Sequence, residues 1–166
     1  MSELIIDAFE FCRLKDYKDG TLEISSLARL CEESPNETRS LNWSLTGGTN
    51  QAGHAQLMLG VDGVISLICQ RCLTPVDVNI DSASTLVLAH SESEADDIEV
   101  LLSDDSVDVV AVSKKIDITE LIEDEALLAI PQAVKHDFCP GDANAALDAV
   151  KKPSAFAALK DLDLKL

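Results

Sequence analysis

Aromatic side chains are nearly absent from this chain: four Phe, one Tyr and one Trp make up 4% of its 166 residues. Its core must therefore be aliphatic, and it offers no platform for stacking the bases of a single-stranded nucleic acid. Basic residues are also scarce. Thirteen Lys and Arg stand against 30 Asp and Glu, a formal net charge of −17. A field of that sign repels phosphate backbones and favours basic proteins or metal cations as partners. No apolar run reaches the ~18 residues that a membrane-spanning helix needs. The first residues, Met1-Ser2-Glu3-Leu4-Ile5-Ile6-Asp7, carry acids where a secretion signal carries positive charge, so the expected compartment is the cytoplasm. No nucleophile elbow, P-loop or dinucleotide-binding glycine pattern occurs. His54 and His90 stand isolated and read as surface residues rather than bases. The expectation is a non-enzymatic protein without a small-molecule substrate.

Hydrophobic residues nevertheless reach 46%, enough for one core, and the chain reads as a single domain over 1–166. Leu4 to Phe11 reads as a first strand. Asp19-Gly20 reads as a turn and Thr21 to Ile24 as a short strand. Leu27 to Glu33 reads as a short helix capped by Ser25 or Ser26 and stopped by Pro35. From Arg39 to Ala89 the pattern has period two. Leu41, Trp43 and Leu45 alternate with polar residues, Gly47-Gly48 reads as a turn, and Ala55, Leu57 and Leu59 alternate again. Asp62-Gly63 reads as a hairpin before Val64 to Ile68. Val76, Val78 and Ile80, then Thr85 to Leu88, complete about five antiparallel strands. Ser91 to Asp108 carries eight acids and no base, and is expected to be a solvated loop around a short strand at Ile98–Leu102.

Asp117 to Ile130 is the clearest helix, with Asp117 as its cap, Glu120 three residues on, and Pro131 as its stop. Asp142 to Val150 reads as an Ala-rich second helix, and Phe156 to Lys160 as a short terminal one in a tail at about 151–166. The fold class is therefore α+β: an antiparallel sheet or partly open barrel with one main helix (about 117–130) packed on it and short C-terminal helices.

Two constellations carry chemistry. Cys69-Gln70-Arg71-Cys72 and His136-Asp137-Phe138-Cys139 together hold the ligand inventory of a Cys3His zinc site. Five scattered cysteines in a reducing compartment suit free thiols or metal ligands better than a disulfide framework. The same C-x-x-C pair can also be read as a thiol oxidoreductase centre or as two packed thiols. A redox pair normally opens a helix, whereas the run after Cys72 is strand-like. The second constellation is Glu125, which the helix wheel sets among Ile118, Leu121, Ile122, Leu128 and Ala129, with Glu123 and Asp124 pointing outward. A carboxylate there needs a partner. Arg71, whose planar fork suits a carboxylate, is the expected one, and Ala at Arg71 or Glu125 is expected to cost far more stability than Ala at Glu123. A rotated helix with Glu125 at its solvent edge is the alternative.

Four motifs in order resemble the YceD family of large ribosomal RNA subunit accumulation proteins: Cys69-Gln-Arg-Cys72, Glu123-Asp-Glu-Ala-Leu-Leu-Ala-Ile-Pro131, His136 with Cys139, and Lys152-Pro-Ser-Ala-Phe-Ala-Ala-Leu-Lys160. Ser154-Ala155 stands where the family has Asn-Pro, and the His–Cys spacing is shorter than the family's. The resemblance implies a cytoplasmic factor, not an enzyme, needed for 23S rRNA accumulation, with a ribosomal protein or large-subunit precursor as its partner. Site residues carried over from these motifs are Arg71, Glu123, Asp124, Glu125, Pro131, Lys152, Phe156, Leu159 and Lys160. The Lys-bearing tail can touch RNA or a partner, or pack back on the sheet.

Overall fold

A computed structural model describes residues 4–34, 38–102 and 107–139. The expected helices at 142–150 and 156–160, and with them Lys152, Phe156, Leu159 and Lys160, lie outside the described residues.

The N-terminal apolar run does not continue as one strand. β1 (Ile5–Asp7) stops where the Asp7 carboxylate accepts the Glu10 N–H at 3.1 Å and starts helix α1 (Ala8–Leu14). β2 (Tyr17–Glu23) then runs straight through Asp19-Gly20. After a single 3-10 turn at Ile24–Ser26 comes helix α2 (Ala28–Glu33), which no serine caps.

Three long strands follow in place of the expected short ones: β3 (Ser40–Thr49), β4 (Ala55–Ile68) and β5 (Pro75–Ala89). Gly47-Gly48 lies inside β3, and Asp62-Gly63 inside β4. The reason is visible in the alternation. Leu57, Leu59, Val61, Ile65 and Leu67 all bury on one side of β4, so the period-two pattern passes through the Asp-Gly pair unbroken. Gly63 is used for space instead of a turn, because a Cβ there would sit 2.6 Å from Leu41 Cδ2.

Over Glu92–Leu102 the acidic tract is a helix, α3, not a loop around a short strand. Ser91 Oγ accepts the Glu94 N–H at 3.2 Å, and the Glu94 carboxylate accepts the His90 N–H at 2.7 Å. This reciprocal cap is built from Ser91-x-x-Glu94. Ala95 and Ile98 then bury against Val87 and Ala89, with Leu102, Val109 and Ala111 alongside. The helix is the crossover that lets β6 (Asp108–Ala111) pair parallel to β5, a pairing that no tight turn can make. The five-stranded sheet has the order β2-β3-β4-β5-β6 and is antiparallel elsewhere, with no closed barrel among the described residues.

β7 (Lys115–Asp117) pairs antiparallel with β1 and leads into α4 (Ile118–Leu128). Asp117 caps α4 by accepting the Thr119 N–H at 2.8 Å. α4 packs on β4, β5 and α2 through Ile118, Ile122 and Ala126, all fully buried. These join Leu41, Leu45, Leu57, Ile65 and Ile80 in one aliphatic core. The helix thus lies across the β4–β5 hairpin, with Glu125 meeting Ser82 midway along β5.

Candidate metal centre

The turn between β4 and β5 is the six-residue segment Cys69–Thr74, which carries the C-x-x-C pair. Cys69 N–H donates to Thr74 O and Leu73 N–H donates to Cys69 O, both at 2.9 Å. Leu73 closes the turn in the left-handed region, at φ 58°. Such a knuckle turns backbone N–H groups toward the first cysteine.

The second pair arrives from α4. The helix ends with the Ala129 and Ile130 N–H groups bonded back to Glu125 O and Leu127 O. Pro131 follows, Val134 buries in the core, and Gln70 N–H donates to Val134 O at 2.8 Å. That bond carries His136 and Cys139 over the knuckle. One ligand atom from each of Cys69, Cys72, His136 and Cys139 lies within 4.8 Å of the others, although 64 residues separate Cys72 from His136. Cys69 Sγ is 3.8 Å from Cys139 Sγ, and Cys72 Sγ is 3.3 Å from His136 Nδ1. The four can hold a metal ion.

The surroundings suit that use. His136 Nε2 lies 3.0 Å from Pro75 O, so a proton on Nε2 leaves Nδ1 free toward the cysteines, the usual arrangement of a metal-ligating imidazole. Arg71 reaches across from the first knuckle to the second. Its Nε–H donates to Cys139 Sγ at 2.9 Å and its Nη2 to His136 O at 3.0 Å.

The electrostatics differ across the four groups: the first pair, Cys69 and Cys72, is drawn down, whereas Cys139 is pushed up. Burial pushes the Cys69 thiol up, but the backbone N–H groups of Cys72, His136 and Arg71 outweigh it and bring the thiol down to about 5. The Thr74 hydroxyl helps lower Cys72. Bonds to Cys69, then Cys72, raise His136. Arg71 draws Cys139 down, but burial and the neighbouring Cys72 and Cys69 push it up further. A low thiol pKa is also what an oxidoreductase nucleophile needs. Here Cys69 and Cys72 are both acidified, with Cys69 buried and Cys72 half-buried, and the pair sits in a hairpin turn between β4 and β5 rather than at the helix N-terminus where a redox C-x-x-C normally lies.

The expected Arg71–Glu125 bridge does not form. Arg71 is committed to the Cys139 knuckle, and Glu125 instead accepts a 2.5 Å hydrogen bond from Ser82 Oγ on β5. The helix is also rotated from the expected wheel: Leu128 is 82% exposed, whereas Glu123, expected to face outward, is only 8% exposed. Glu123 Oε1 accepts the backbone N–H groups of Arg29 at 2.7 Å and Leu30 at 3.1 Å, and Oε2 accepts Arg29 Nε–H at 3.0 Å. Asp124 pairs with Arg29 Nη1 at 2.7 Å. The Glu123-Asp-Glu125 run is thus a docking device for α4, with Arg29 and Ser82 as partners that no sequence spacing signals. Pro131 lies three residues beyond the helix end. His90 is exposed and stacks on Phe9, ring centroids 3.9 Å apart.

In comparison with known families, the one described as "Large ribosomal RNA subunit accumulation protein YceD" matches residues 57–163. That span takes in all but the first two residues of β4, and the whole of β5, both knuckles and α4. No curated protein and no solved structure matches the chain.

Proposed function

Since the chain belongs to the YceD family, and so to proteins with a role in accumulation of large-subunit ribosomal RNA, we propose that it serves that role by binding, without catalysis, and that its direct partner is a basic ribosomal protein of the large subunit rather than pre-rRNA. Charge carries this reading. The chain holds a net −17, and α3 presents Glu92, Asp96, Asp97 and Glu99 to solvent beside exposed Val100 and Leu101. Such a face attracts a cationic protein segment and repels a phosphate backbone. A chaperone of this kind would mask a ribosomal protein until rRNA displaces it. The reading entails the cytoplasm as its compartment and treats 1–166 as one domain, and no described helix is long and apolar enough to cross a membrane.

The test is fluorescence anisotropy of the labelled chain against individual large-subunit ribosomal proteins and against 23S precursor RNA, over a salt series. Binding to a basic protein that weakens steeply with salt is the expected result. Binding to the RNA alone, or to neither, overturns the reading.

The metal-ligand geometry favours an addition to it. We infer that Cys69, Cys72, His136 Nδ1 and Cys139 hold one Zn2+ that staples the segment after α4 onto the β4–β5 turn. Three thiolates with one imidazole form a closed structural zinc set, with no ligand position left for chemistry. Protein purified under reducing conditions should carry one zinc per chain, and Cys72→Ser should lose it. A parent protein without zinc that still folds refutes this.

A further inference from the structure

Arg71 is exposed, lies between two of the metal-ligand candidates, and spends its donors on the opposite half of the site. Its Nε–H meets the Cys139 sulfur at 2.9 Å, and its Nη2 meets the His136 carbonyl at 3.0 Å. The arginine therefore ties the second knuckle to the first by side-chain bonds that need no metal. It joins the Gln70 N–H to Val134 O bond, which fixes the incoming chain two residues before His136. Charge points the same way. Three thiolates and a neutral imidazole around a dication leave one surplus negative charge, and the guanidinium beside Cys139 balances it. A planar fork can serve a sulfur and a carbonyl at once, which the single ammonium of a lysine does less well.

We propose that Arg71 is a positioning residue for the metal: it holds the two ligand pairs together before the ion binds and neutralises the loaded site afterwards. This rests on the reading that the Cys3His set binds zinc. A donor to a metal-bound thiolate sets both how tightly the metal is held and how much electron density the sulfur gives it.

The experiment uses the full chain as the parent protein, R71Q and R71K. Zn2+ affinity is read by competition with a chromophoric chelator, and the Co2+-loaded proteins are compared by absorption spectroscopy. R71Q should hold Zn2+ about 10- to 100-fold more weakly than the parent. Its thiolate-to-Co2+ charge-transfer band should move while the ligand-field bands stay tetrahedral. R71K, which keeps the charge but not the fork, should fall between the two. Parental affinity and an unmoved band in R71Q overturn the proposal. If R71Q does not fold, R71K decides: an affinity below the parent's with a shifted charge-transfer band supports the role, and a parental affinity and spectrum reject it. A parent protein that binds no Zn2+ fails at the earlier step and removes the zinc reading together with this one.

Discussion

The carboxylate of Glu123 caps the first turn of a helix lying 94 residues upstream, by accepting the backbone N–H of Arg29. α2 has no side-chain cap of its own, so its free N–H groups are satisfied from α4. Arg29 then returns the contact through its side chain, to Glu123 at 3.0 Å and to Asp124 at 2.7 Å. One residue thus serves as helix cap, ion-pair partner and interhelical contact.

Glu123→Ala should cost about 2–4 kcal/mol, because it strands buried N–H groups and removes the arginine's buried partner. Asp124→Ala should cost under about 1 kcal/mol, since both members of that pair are more than half exposed. Urea denaturation of the two variants checks the order. Equal losses would mean that the cap contributes no more than the surface pair. The helix wheel alone predicts that Ala at Glu123 costs far less than Ala at Glu125; with both carboxylates buried, comparable losses at the two are expected.

Glu125 is held by Ser82, not Arg71. Glu125→Ala should destabilise by about 1–3 kcal/mol and Ser82→Ala by about 1 kcal/mol. A double-mutant cycle between Glu125 and Arg71, run on metal-free protein, should be additive within about 0.5 kcal/mol. A larger coupling energy would restore the bridge.

The two adjacent glycines of β3 should behave differently. A Cβ on Gly47 would lie 2.6 Å from the Phe11 carbonyl oxygen, whereas one on Gly48 meets nothing closer than 3.8 Å, at Gln56 Cγ. α1 packs on β3 there, and a backbone atom has little room to yield. Gly47→Ala should cost about 1–3 kcal/mol by overpacking, and Gly48→Ala much less. Thermal midpoints of the pair are the measurement, and matching midpoints would show that α1 can shift away.

Cys12 offers a pH test. Its thiol is buried and donates to Gln56 O at 3.1 Å. Burial raises its pKa above the usual 9.0, despite backbone bonds that pull the other way. The unfolded chain ionises this thiol first, so as pH rises past 9.0 the unfolded state gains stability and the folded state loses its advantage. Cys12→Ala should flatten that alkaline fall. Its cavity cost is independent of pH, so the slope, not the offset, carries the result. An unchanged slope would place the alkaline sensitivity elsewhere.

How far the sequence could be read differs from element to element. The main helix was legible because Asp117 caps it and its apolar positions recur at the helical period. The sheet was legible as a sheet, but its strands were cut too short. Asp62-Gly63 and Gly47-Gly48 are turn signals in isolation, yet each lies within a strand whose inward alternation continues on both sides. At Gly47 and Gly63 the missing Cβ makes room for Phe11 and Leu41. The acidic tract misled in another way. Its charge reads as a solvated loop, while the Ser91-x-x-Glu94 cap and the buried pair Ala95 and Ile98 were the overlooked helical signal. With α3 missed, the parallel β5–β6 pair could not be foreseen.

The sequence by itself determined the aliphatic core, the net charge, the capped helix α4, the family and the four Cys and His residues able to ligate a metal, because composition, periodicity and ligand spacing are local properties. Only the tertiary structure decided which side chains meet. Cys72 and His136 are 64 residues apart, and Arg29 and Glu123 are 94 apart. Their contacts follow from the docking of α4 on the sheet and α2, and from the Gln70–Val134 bond that brings the two knuckles together. Rotation of α4 by a fraction of a turn exchanged the expected roles of Glu123 and Leu128. That rotation is set by how the helix packs into the core and where its carboxylates find donors, which the helical period alone does not specify.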